Sequence, residues 1–369
     1  MVEGPAVVDA VPTLPIVSQA LATIAAGMDV AMLTAARIVL DRTVMPSPEE
    51  ADALRASGAF YLERFAKTPR RFFAFLDEPT PPPHVVVKPQ PSWRSDRVRV
   101  RLSFPSRYEP ANPALRTLHG GRCENRMVRA ELWAHPEEQQ RPIAVLLHGF
   151  GMGYPAIDAI ALMAPQLFAA GLDLVLFTLP LHGARTPGDA RFSGQLFANP
   201  ETAEIAEAMG QAVHDLSALF TWLRARRDGP IGLIGLSLGG YVTALTAALR
   251  DDLDFAITLV APACIGDLAH GFMSASTKFR AGGVLPREEL RALFRFHSPL
   301  AHSPRLPPER MLIIAGLGDR VVPPRHAHWL AAHWPGARLR WFGGSHVAPF
   351  GRRDVRSAML TFLADRGVL

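Results

Sequence analysis

The chain has 369 residues, of which 49% are hydrophobic and 20% charged, so it can bury a large core and is not a disordered protein. Its net charge of +5 comes mostly from scattered arginines without a basic stripe, which argues against nucleic-acid binding. The two cysteines, Cys123 and Cys264, lie far apart without metal-ligand spacing. They favour free thiols in a reduced, cytoplasmic compartment.

The amino-terminal stretch 16–40 is largely apolar and long enough to span a bilayer. Asp29 lies near its middle, and a carboxylate there would cost about 2.5–3.5 kcal/mol in a membrane. We therefore expect a helix packed on the body of the protein. Membrane association through this stretch is the minority alternative.

A second helical pattern covers residues 46–78. Aromatic residues near its end are expected in the core: Phe72, Phe73 and Phe75. The proline-rich run 79–83 then predicts a stiff connector. We place a helical extension with this connector at residues 1–96 and a second domain at 97–369.

From residue 97 onward, strand and helix patterns alternate. Two segments have the mixed apolar and polar pattern of half-buried strands: 97–104 and 126–133. The continuous apolar runs are typical of parallel strands buried on both faces: 143–147, 172–178, 231–236, 255–260 and 311–315, followed by a short strand at 338–342. Helical segments are expected between and after them: 156–170, 201–227, 241–249, 325–334 and 354–363. This order predicts an α/β fold with a mostly parallel central sheet and helices on both faces.

The connection after residue 260 is too long for an ordinary loop, since about 45 residues separate Pro262 from Pro308. Its apolar residues indicate a helical insertion over the top of the sheet: Phe272, Met273, Phe279, Leu290, Leu293, Phe294 and Phe296. We interpret residues 262–308 as a lid over a substrate pocket. A structural excursion with its own small core is the alternative.

A Gly-x-Ser-x-Gly pattern, residues 235–239, stands between an apolar strand and a helical segment. A serine on such a sharp turn has strained backbone, and glycine at 235 and 239 removes side chains that would collide. The turn lifts the Ser237 hydroxyl above the sheet and aims the Leu238 N–H at an incoming oxyanion. A tight turn or a helix N-cap is the structural alternative.

A serine nucleophile needs a base, and the base needs an orienting carboxylate. Asp319 follows the strand at 311–315, and His346 follows the strand at 338–342. Both are therefore expected at the same edge of the sheet as Ser237.

Other acids and histidines are weaker candidates. Asp267 and Asp354 do not directly follow buried strands, and a helical segment carries His326, His328 and His333. His148 and His182 stand in turns after strands, where we expect them to brace the backbone. No cofactor or metal site is predicted.

The loop 148–153, which contains three glycines, follows the strand at 143–147. Glycine lets backbone approach a ligand closely. We expect this loop to supply a second oxyanion donor, from the N–H of Phe150 with Gly151 next.

Taken in order, these features resemble the α/β-hydrolase superfamily over about residues 97–369: the His148-Gly149 loop, the 180–183 turn, the Ser237 elbow, Asp319 and His346. The resemblance implies an α/β-hydrolase fold and serine-dependent hydrolysis. It does not specify the substrate, because the fold hosts many activities.

The sequence thus favours a serine hydrolase that cleaves a small-molecule carboxylic ester, with Ser237 as nucleophile, His346 as base and Asp319 as its partner. A peptidase or acyltransferase using the same residues is the alternative within enzymes. A non-catalytic binding protein of this fold is the alternative outside them. The sequence leaves the oligomeric state open.

Overall fold

The computed structural model describes residues 16–43, 48–78, 81, 83–92, 96–136, 140–198, 202–273, 285–347 and 351–369. Its helices are α1 Ile16–Thr43, α2 Pro48–Phe65, α3 Arg116–Gly121, α4 Pro155–Ala161, α5 Ala164–Ala169, α6 Gln195–Ala198, α7 Thr202–Arg224, α8 Leu238–Leu249, α9 Ile265–Met273, α10 Arg287–Leu293, α11 Arg325–His333 and α12 Arg352–Asp365. Its strands are β1 Val86–Gln90, β2 Val98–Pro105, β3 Met127–Ala134, β4 Ile143–Leu147, β5 Asp173–Phe177, β6 Ile231–Leu236, β7 Phe255–Leu259, β8 Met311–Gly316 and β9 Arg338–Phe342.

Within the described residues, nine strands form one sheet in the order β1-β2-β3-β5-β4-β6-β7-β8-β9. Pairing is antiparallel from β1 through β3 to β5 and parallel from β5 to β9. The predicted mostly parallel sheet is confirmed, and the eight predicted strands lie within two residues of the observed ones. The carboxyl ends of β6, β8 and β9 meet at one edge.

Both faces of the sheet are buried, as continuous apolar runs require. Along β4, Val145 and Leu147 face a cluster that contains α7 and α8, whereas Ala144 and Leu146 face a cluster with α5 and α12. The alternation within a single strand thus supplies both layers of core. The predicted helices on both faces are confirmed.

The prediction of one helix over 156–170 is wrong. The structure has two short helices there, α4 and α5, which are separated at Met163 with φ 55°. Pro165 lies in the first turn of α5 and has no N–H to continue a helix from α4. The break lets α5 turn toward the sheet and bury Leu167 and Phe168.

Strand β1 is absent from the sequence prediction, although it pairs with β2 along its whole length. It has no apolar alternation because it is an exposed edge strand, and it contains Pro89, which edge strands tolerate. The strand lies within residues 1–96 and joins that part of the chain to the sheet.

Helix α1 packs on the body through one face, where Ala22, Ala25, Ala26, Asp29 and Leu33 are buried. Helix α1 therefore packs on the body of the protein, as the sequence predicted. Across the described residues, no helix is both long enough and apolar enough to cross a bilayer.

The aromatic cluster after α2 lies in the core as predicted, with Phe72 and Phe73 buried. Phe72 packs edge-on against Phe296, which comes from the segment after β7. Residues 274–284 of that segment, including Phe279, and residues 79, 80 and 82 of the predicted connector lie outside the described part of the chain.

Candidate active site

Ser237 stands on a sharp turn between β6 and α8, with φ 52° and ψ −113°. A non-glycine residue rarely adopts a positive φ, and such strain is held in place by the surrounding structure. A side chain at Gly235 would collide with the Gly239 carbonyl, and one at Gly239 would collide with the Leu147 carbonyl. The crowding expected from the sequence is therefore present.

Three side chains predicted from separate parts of the sequence meet at this turn. His346 Nε2 lies 2.9 Å from Ser237 Oγ, and His346 Nδ1 lies 2.9 Å from Asp319 Oδ2. The other Asp319 oxygen accepts hydrogen bonds from the N–H groups of Val321 at 2.9 Å and Val322 at 2.7 Å. The carboxylate is thus held by its own loop while one oxygen faces the imidazole.

The environment of His346 raises its pKa above the ordinary value of 6.5. Burial alone lowers this pKa, but the charge and hydrogen bond of Asp319, together with the charge of Asp29, outweigh it. Its proton-accepting form therefore prevails only above that raised pKa.

The glycine loop after β4 lies directly beside the serine. A Cβ at Gly149 would lie 3.6 Å from Ser237 Cβ. Phe150 and Gly151 are the next two residues of this loop. Leu238 begins α8, and the first N–H groups of a helix have no partner within it. The predicted donors thus belong to the residue directly after Ser237 and to the loop that lies beside the serine.

The histidines of the neighbouring turns brace the backbone, as predicted. His148 Nε2 accepts the Leu179 N–H at 3.0 Å, so its Nδ1 carries the proton and donates to the Gly149 carbonyl at 2.8 Å. Burial lowers the pKa of His148 to about 3, which keeps this arrangement neutral. His182 Nδ1 donates in the same way to the Pro180 carbonyl at 2.8 Å.

The alternative acids have other partners. Asp267 is held by Arg291 and Arg325, each at 2.7 Å, and Asp354 lies in the first turn of α12.

The alternative histidines are also engaged elsewhere. His326 is buried and accepts the Ala263 N–H at 3.2 Å, and burial lowers its pKa to about 3. His328 packs against Trp341, and His333 contacts the His302 carbonyl. No group of three or more potential metal ligands is found among the described residues.

One residue of this region was not predicted from the sequence. Asp29 of α1 accepts hydrogen bonds from the loops that carry Asp319 and His346. The sequence shows it only as the one acid of the apolar stretch 16–40, where it argues against a membrane span.

Comparison with known proteins shows the family of the chain. The family model described as Alpha/beta hydrolase domain containing 18 matches residues 120–282, a range that includes Ser237. The uncharacterized protein Rv2627c of Mycobacterium tuberculosis is 31% identical over 309 residues, which cover 83% of this chain and 72% of that protein.

Two solved structures share the fold. An acetyl xylan esterase from Paenibacillus sp. R4 has a TM-score of 0.59 at 16% identity, covering 82% of this chain and 94% of its own. Acetyl xylan esterase 1 from Thermoanaerobacterium sp. JW/SL YS485 has a TM-score of 0.55 at 15% identity, covering 86% and 95%. With the family model and the sequence relative, they show that the chain belongs to the α/β-hydrolase superfamily.

Proposed function

We propose that this α/β-hydrolase is a serine esterase that cleaves a small-molecule carboxylic ester through an acyl-enzyme intermediate. The observation that carries the proposal is the hydrogen-bonded triad of Ser237, His346 and Asp319. His346 Nε2 lies 2.9 Å from Ser237 Oγ, and His346 Nδ1 lies 2.9 Å from Asp319 Oδ2. Such a triad makes a serine hydroxyl nucleophilic near neutral pH, because the histidine accepts the serine proton and the carboxylate orients the histidine.

In the first half of the reaction, Ser237 Oγ attacks the acyl carbonyl while His346 Nε2 takes its proton. The N–H groups of Leu238 and Phe150, with Gly151 next, stabilise the oxyanion that forms. The tetrahedral intermediate then collapses, its bond to the alcohol oxygen breaks, and His346 returns the proton to the alcohol.

In the second half, water attacks the acyl-serine and His346 accepts a proton from the water. Collapse of the second intermediate releases the carboxylic acid, and the proton passes back to Ser237. Asp319 accepts the Nδ1–H of His346 throughout, so Nε2 is the nitrogen that takes up and returns the proton in each half.

We also propose the domain division of the sequence analysis, with an extension over 1–96 and a hydrolase domain over 97–369. Helix α2 of the extension packs on the segment after β7, where Tyr61 stacks on Phe296 with ring centroids 5.0 Å apart. Arg55 of α2 also pairs with Glu289 of α10 at 2.6 Å. We propose that residues 262–308 form a lid insertion that is anchored to the extension by these contacts.

A fluorophosphonate probe tests the proposal without knowledge of the natural substrate. Such a probe reacts with a serine that a base activates and an oxyanion hole faces, since its phosphoryl oxygen mimics the tetrahedral intermediate. We expect stoichiometric labelling at Ser237 by mass spectrometry, and hydrolysis of at least one member of a p-nitrophenyl ester series of increasing acyl length.

Two variants make the labelling specific. Ser237→Ala should neither label nor hydrolyse esters, whereas Ser357→Ala, which changes an exposed serine of α12, should behave as wild type. Folded wild-type protein that resists the probe and hydrolyses none of the esters would instead support a binding protein of this fold.

A further inference from the structure

Asp29 is a fully buried carboxylate on the inner face of α1. Its Oδ1 accepts hydrogen bonds from Ser345 Oγ at 2.7 Å and Val347 N at 3.1 Å. Its Oδ2 accepts from Arg320 N at 2.9 Å and His346 N at 3.0 Å. Four donors on two oxygens offset the cost of burying the charge.

The four donors to Asp29 come from the two loops that carry Asp319 and His346. One is the N–H of the residue directly after Asp319, and the other three come from the residues before, at and after His346. One side chain thus joins the loop after β8 to the loop after β9. These two loops have to keep the imidazole between Asp319 and Ser237.

Helix α1 touches the first of these loops at a second point. A side chain at Gly318 would collide with the Ala22 carbonyl, so the helix backbone lies directly on the residue before Asp319. Ala22 and Asp29 are seven residues apart, which corresponds to about 10 Å along the helix axis. The small residues Ala25 and Ala26 between them are buried and allow the close approach.

We propose that Asp29 is a positioning residue of the active site, which locks the Asp319 and His346 loops together and fixes the imidazole toward Ser237. Asp29 then acts on the reacting residues from a helix that lies outside the sheet. The proposal rests on the proposed function, because it assigns Asp29 a role in that reaction.

Asp29 also acts on His346 through its charge. Asp319 from the loop after β8 and Asp29 from α1 are the two carboxylates that raise the pKa of His346 against the lowering effect of burial. Asp29→Asn removes one of these charges and keeps a side chain of the same shape. The variant should therefore move the titration of His346 to lower pH.

The test compares Asp29→Ala and Asp29→Asn with Leu33→Ala, which removes a buried contact one turn further along the same face of α1. With p-nitrophenyl acetate as the probe substrate, Asp29→Ala should lower kcat by about 100-fold with little change in KM. Asp29→Asn should retain more activity, with the acidic limb of its pH–kcat/KM profile at lower pH. Leu33→Ala should lower Tm but leave kcat and the pH midpoint unchanged.

A proton NMR titration of the His346 ring in wild type and Asp29→Asn measures the same shift without turnover. A lower imidazole pKa in the variant supports the action of Asp29 on His346 independently of turnover. Failure of the proposed function would show separately, as wild type inactive toward esters and fluorophosphonate. Unchanged pKa, with kcat losses in Asp29→Asn and Leu33→Ala that follow only their losses of Tm, would reduce Asp29 to a packing contact. That result would overturn the inference while leaving the esterase proposal in place.

Discussion

Asp319 is oriented by its own loop, because its Oδ1 is occupied by the N–H groups of Val321 and Val322. An asparagine here would keep those bonds with its carbonyl and turn its amide group toward His346 Nδ1. The imidazole would then hold its proton on Nε2 and could not accept the one from Ser237.

We therefore expect Asp319→Asn to lower kcat by about 10,000-fold with the fold intact, as in other enzymes where this exchange traps the wrong tautomer. Ester hydrolysis and circular dichroism measure the two effects. Asp354→Asn, at an exposed acid in the first turn of α12, should have no effect on either. Near-normal turnover in Asp319→Asn, together with an inactive Asp267→Asn, would instead identify Asp267, in the segment after β7, as the carboxylate that orients His346.

In the proposed mechanism, the protonation of His346 sets how activity responds to pH. Its raised pKa means that the imidazole becomes charged, and so unable to accept a proton, already above pH 6.5 as the solution is acidified. Fluorophosphonate labelling and kcat/KM should both fall with decreasing pH, with a midpoint above 6.5. A midpoint below that value would indicate that burial outweighs the two carboxylates.

The turn between β6 and α8 depends on backbone approaching backbone. A side chain at Gly239 would collide with the Leu147 and His148 carbonyls, which belong to β4 and its loop and cannot move aside as a flexible side chain can. The same residue therefore controls both the elbow and the position of the neighbouring glycine loop.

Gly239→Ala should lower stability by about 1–3 kcal/mol, the range for overpacked sites, and should also abolish labelling of Ser237. Gly271→Ala in α9 is the matched control, because a Cβ there would meet nothing within 4 Å. This control should be neutral or stabilise by about 0.5–1 kcal/mol, as helical alanine does relative to glycine. Equal urea midpoints for the two variants would contradict the crowding argument.

The elements that the sequence predicted best are those whose burial pattern is uniform. The parallel strands β4 to β8 are apolar on both faces, so their limits are clear in the amino-acid pattern. Because Ser237, Asp319 and His346 each follow the end of a parallel strand, that pattern was enough to predict them at one edge of the sheet. Strand β1 was not predicted, because it is an exposed strand without an alternation of apolar and polar residues.

The role of Asp29 could not be predicted for a different reason. Its four hydrogen-bond donors lie 291 to 318 residues away along the chain. Local sequence patterns predict helices and strands, but they do not predict a contact between residues so far apart in the sequence. The sequence showed a costly charge within an apolar helix, and only the fold supplies the groups that satisfy it.

At the scale of the whole molecule, the amino-terminal helices and the segment after β7 share one aromatic cluster. Phe296 packs against Tyr61, Phe65 and Phe72, with centroid distances from 5.0 to 6.0 Å. The cluster is continuous with the core that covers one face of the sheet.

Phe296→Ala should lower the free energy of unfolding by about 3–5 kcal/mol, the usual cost of removing a buried phenylalanine ring. Phe192→Ala, which changes a partly exposed ring, should cost much less. Urea denaturation measures both losses, and a single cooperative transition is expected because the cluster joins the two parts. Separate transitions for the extension and the hydrolase domain would show that they unfold independently.

The contacts of α1 also bear on how the protein is made. Proteins emerge from the ribosome amino terminus first, but Asp29 finds its partners in residues 320 and 345–347. Until those residues have emerged, the buried face of α1 therefore lacks its docking surface, and Ser237 lacks the imidazole with which it is hydrogen-bonded. Helix α1 is thus translated well before the loops that receive Asp29, and Ser237, Asp319 and His346 come together only after His346 has been made.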